Sequence, residues 1–106
     1  MSKNKYDIEL PKSKAQLESL LSNIFKKNPT KHYILRIFET HISLEDLLGM
    51  LDKYQSKIEK FRRSKSIILL TEDFDYEQIP EFMPLAPTEE EAVDIIDFEE
   101  IERDFF

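Results

Sequence analysis

Two histidines, His32 and His41, and no cysteine are available for activating a nucleophile or binding a metal in this 106-residue chain. They bracket an apolar stretch and, if it is extended, stand roughly 30 Å apart, too far to share a metal ion. His41 lies two residues before Ser43 and invites a base–nucleophile reading, yet no orienting third group or oxyanion donor can be named beside it. The competing reading is a loop histidine next to a helix cap. The lack of cysteine removes thiol nucleophiles, thiolate metal sites and disulfides, and fits a reducing compartment. Gly49 is the single glycine and sits inside a helical pattern. Glycine-rich phosphate loops, dinucleotide fingerprints and nucleophile elbows need glycine where backbone meets ligand, so all three are excluded. Carboxylates crowd the last forty residues, but Glu89, Glu90 and Glu91 are explained by a helix N-terminus before they are explained by a cation. No catalytic, cofactor-binding or metal residue is assigned, and a non-enzyme without cofactor is the expectation.

Charge is distributed more informatively than its sum of −7. Residues 1 to 66 carry fourteen Lys/Arg against eight Asp/Glu, a net +6, and residues 67 to 106 carry Arg103 against fourteen acids, a net −13. One reading is that the halves attract within the fold; the other is an acidic face for a basic partner. Lys53, Lys57, Lys60, Arg62, Arg63 and Lys65 form a basic helix end, with Arg62 and Arg63 as candidate RNA contacts. Against that stands a solvated face complementing the acidic half, without interleaved aromatics and in a protein of negative net charge.

The elements that must position these residues follow from periodicity. Tyr6 to Leu10 alternates apolar and polar residues as a half-buried strand, closed by Pro11. Leu17, Leu20, Leu21, Ile24 and Phe25 recur at helical spacing, ending before Asn28-Pro29. His32 to Glu39 reads as a central strand. Ser43 caps a long helix from 43 to 63, striped by Leu44, Leu47, Leu48, Leu51, Tyr54, Ile58 and Phe61. Ser66 to Thr71 is a buried strand, Glu72 to Glu81 a loop or short helix, and Phe82 to Ala86 a last short strand. Thr88 caps a final helix through about Arg103, with Ala92, Ile95, Ile96, Ile101 and Phe105 on its buried face.

The run from Ile79 to the C-terminus resembles that of a family of small Bacteroidetes proteins. The shared residues are Pro87, Thr88, Glu91, Ala92, Asp94, Ile96, Glu99, Glu100, Ile101, Glu102, Arg103 and Asp104. The upstream Ser43-Leu44-Glu45-Asp46-Leu47-Leu48, the basic helix and Ser66 to Thr71 are similar to the same family, so the resemblance covers 31 to 106. Its members are similar in layout to STAS domains, the fold of anti-sigma-factor antagonists, and Thr88-Glu89-Glu90-Glu91-Ala92 resembles the start of the last STAS helix. The resemblance implies a sheet flanked by helices and a role in protein binding. The antagonists' phosphorylated serine lies in an Asp-Ser-x-Gly context; here Ile42-Ser43-Leu44-Glu45-Asp46 takes that place, and Ser43 is read as a cap. Proteins of this family are often labelled ribonuclease Z, but that enzyme's H-x-H-x-D-H zinc motif is absent from this sequence.

The expectation is therefore one STAS-like α/β domain over 1–106, with a mixed or mostly parallel sheet of about four strands flanked by three to four helices. It is expected to be cytoplasmic, with no membrane segment, and to bind an unknown protein partner. Phe105, Phe106, Glu99 and Glu102 form the candidate interaction surface. An RNA-binding accessory using Arg62 and Arg63 is the alternative.

Overall fold

A computed structural model describes residues 5–105, so Phe106 lies outside the described residues. The chain runs β1 (Tyr6–Glu9), α1 (Lys14–Lys26), β2 (His32–Arg36), α2 (Leu44–Lys53), α3 (Gln55–Phe61), β3 (Ile67–Leu70), a 3-10 turn (Tyr76–Gln78), β4 (Leu85–Ala86) and α4 (Glu89–Phe105). The four strands form one sheet in the order β1-β2-β3-β4, and every pair is parallel, which resolves the mixed-or-parallel expectation.

Sequential parallel strands with crossovers of one hand send every connection over the same face. Accordingly α1, α2, α3 and the segment between β3 and β4 share one face with Leu35, Ile37, Ile67 and Leu69. In α1 the buried residues Leu17, Leu21 and Ile24 fall one turn apart, and Ser13 caps the helix by accepting a hydrogen bond from the Gln16 N–H. Because α4 follows the last strand, it is free to cross the opposite face. There Ala92 and Ile96 pack on Ile34, Ile68, Leu70 and Ala86. All residues of β3 are buried, as an apolar strand covered on both faces must be.

The continuous helix expected over 43–63 is instead two helices, with Tyr54 between them at φ −104° and ψ 11°. Its buried ring packs on Phe25 of α1 with centroids 5.9 Å apart, while Lys53 and Lys57 flank it. The break lets the apolar stripe follow the sheet through α3, so Ile58 and Phe61 stay buried. β2 stops at Arg36 rather than Glu39, and α4 extends to Phe105. No helix of the described residues is long and apolar enough to cross a membrane.

Candidate binding surface on α4

Helix α4 begins where Thr88 accepts a hydrogen bond from the Glu91 N–H, at 3.1 Å, and three glutamates fill its first turn. Its C-terminal half lies over the amino-terminal ends of β2 and β3, where the sheet offers polar residues. His32 is 1% exposed. Its Nδ1 accepts the Ser66 backbone N–H at 2.7 Å, so the ring proton belongs on Nε2, which donates to Glu100 at 2.9 Å. Burial pushes the His32 pKa down, in keeping with a neutral ring. Hydrogen bonds from Lys5 and then His32 hold the Glu100 carboxyl down at about 2. Both ring nitrogens of His32 are thus committed within the fold. Its place is structural, and His41 stands in an exposed loop beyond β2, edge-on to Phe38.

One residue before Glu100, Glu99 accepts from the Ser66 hydroxyl at 2.6 Å and from Arg62 Nη2 at 2.8 Å. Arg62 Nη1 also donates to the Phe82 carbonyl at 3.0 Å, and Arg103 reaches across to donate to the Arg62 carbonyl and to Ser66 Oγ. Asp97 and Glu100 both meet Lys5. The carboxylates on the inner side of α4 are therefore used in seating the helix on the sheet.

That geometry corrects the candidate residues in three ways. Glu99, expected at a docking surface, keeps 12% of its side chain exposed because it is the acceptor at the centre of this network. Arg62, expected at an RNA contact, is tied to Glu99 and to Phe82; Arg63 alone of that pair projects into solvent. Ile101, expected on the buried face, and Phe105, read both on that face and on the candidate interaction surface, are 54% and 79% exposed, since the stripe through Ala92 and Ile96 continues into Glu99, Glu100 and Arg103. Ser43 and Thr88 cap their helices as read, Ser43 accepting from the Asp46 N–H at 3.2 Å.

The outer side of α4 then carries Phe98, Ile101 and Phe105, at i, i+3 and i+7, with Phe98 62% exposed. Asp94, Glu102 and Asp104 flank them and are exposed, and Asp97, exposed as well, is paired with Lys5. Phe98 is not among the residues that the sequence pattern singles out, because it falls off the face set by Ala92 and Ile96; its spacing to Ile101 and Phe105 is the available signal. No protein-family description, curated protein sequence or solved structure matches the chain.

Proposed function

We propose that this chain is a non-enzymatic, STAS-like interaction module that docks a protein partner on the outer face of α4. The observation that carries the reading is the exposed stripe Phe98–Ile101–Phe105 on a helix whose opposite side is already packed. Anchors at i, i+3 and i+7 are the pattern that an apolar groove receives from a helix, and a contiguous exposed apolar patch inside a charged rim is ordinary interface anatomy. The rim is acidic, so the partner supplies a groove edged by Lys and Arg. The inner network fixes how far α4 rolls on the sheet and thereby which residues face outward.

The test is capture with the full chain from cells that naturally make it, with nuclease treatment and mass spectrometry. A protein with a basic surface should be retained after nuclease and lost from the Phe98→Ser/Ile101→Ser variant, whose stability should change by no more than about 0.5 kcal/mol per site. Capture indifferent to those substitutions, or abolished by nuclease, contradicts the proposal.

A further inference from the structure

We infer that the groove between the C-terminal ends of α1 and α3 binds the phosphate backbone of single-stranded nucleic acid. This goes beyond the α4 docking surface and does not rest on it. The groove encloses about 520 Å³ and is lined by Lys26 at the end of α1, by Lys27 just after it, and by Lys57, Lys60 and Arg63 from α3 and the turn after it. No carboxylate lines it. All five cations are exposed, and among the described residues none makes an ion pair within 4.0 Å. The two halves of the chain therefore leave this charge unneutralised: the cations of residues 5–66 that reach acids of the second half are Lys5 and Arg62.

The two helix C-termini here contribute partial negative charge of about half a unit each, which five full positive charges outweigh. That effect suits a last-turn lysine such as Lys26 or Lys60, but it does not account for Lys57 or Arg63 converging on the same groove. The groove also has an aromatic wall. Phe25, part-buried between Tyr54 and Phe61 with ring centroids 5.9 and 5.8 Å away, lines the groove together with Phe61. A positive groove with a stacking ring is how single strands are held without sequence preference, whereas a duplex keeps its base faces to itself. The four lysine ammoniums among the five cations are compact point charges that pair with phosphate oxygens without a fixed geometry.

The probe is a fluorescein-labelled oligouridylate titrated with the full chain at low salt, read by anisotropy. Wild type should bind, and Lys57→Glu/Lys60→Glu should weaken binding at least tenfold. Lys12→Glu/Lys14→Glu, an equal charge change at the far end of α1, should weaken it less than threefold. The dependence of log K on log salt should flatten in the groove variant by about 0.7 for each phosphate no longer neutralised. Circular dichroism confirms that each variant is folded. Absence of binding, equal weakening by both variants, or displacement of the oligonucleotide by polyglutamate of matching charge overturns the inference. Displacement by inorganic polyphosphate at lower concentration than by unlabelled oligouridylate also overturns it, because the aromatic wall would then contribute nothing.

Discussion

His32 shows how one residue's role is decided by its hydrogen bonds. Nε2 already holds the ring proton, and Nδ1 cannot take one without losing the backbone N–H it accepts, so protonation of His32 opposes the fold. The sign for stability follows. His32, with its pKa lowered by burial, favours the folded state above its ordinary value near 6.5, and that contribution is lost as pH falls below it. Glu100, lowered from 4.5 to about 2 by Lys5 and His32, contributes fully above 4.5 and loses its contribution as pH falls through about 2. Asp97, Lys65 and Arg103 also face this cluster. Glu100→Gln should cost about 1 kcal/mol at neutral pH, and its stability should fall less steeply than wild type between pH 4.5 and 2, as read by urea midpoints. An equally steep decline in the variant would show that the acid sensitivity arises elsewhere.

Among the elements, α2 contains a removable cost. Gly49 lies mid-helix and exposed, and a methyl group added there meets nothing within 4 Å. Gly49→Ala should therefore stabilise the protein by about 0.5–1 kcal/mol, raising the melting temperature by several degrees. A lowered melting temperature would mean that the exposed face of α2 is not what it is taken to be. Helices and strands were legible because apolar spacing reports burial directly: Leu17, Leu21 and Ile24 on α1, or the unbroken Ile67 to Leu70, admit few alternatives. The break at Tyr54 was not legible, since its cause is the path of the apolar stripe over the sheet together with Phe25 on another helix. The far end of α4 misled for a related reason. Ile101 and Phe105 continue an apolar count, but the sheet beneath them ends in His32 and Ser66, which attract Glu99 and Glu100 instead. A sequence records what is apolar; it does not record where the apolar floor stops.

At the scale of the whole molecule, the opposite charges of the two halves resolve into separate surfaces, with the acids of α4 on one side of the sheet and the basic groove of α1 and α3 on the other. Two of the expected surface residues, Glu99 and Arg62, bond to each other between these surfaces, whereas Phe105 and Glu102 stay on the α4 surface and Arg63 stays on the basic groove. Separation of charge of this kind makes association sensitive to ionic strength, whereas the apolar stripe on α4 adds contact energy that salt does not screen. Docking on α4 is tested most directly by placing a photo-crosslinking phenylalanine analogue at position 98 in the native cell, with the same analogue at the exposed Gln55 position of α3 as control. A discrete protein adduct is predicted from position 98, resistant to nuclease and absent from the control. No adduct at position 98, or the same adducts from both positions, would contradict docking on this helix.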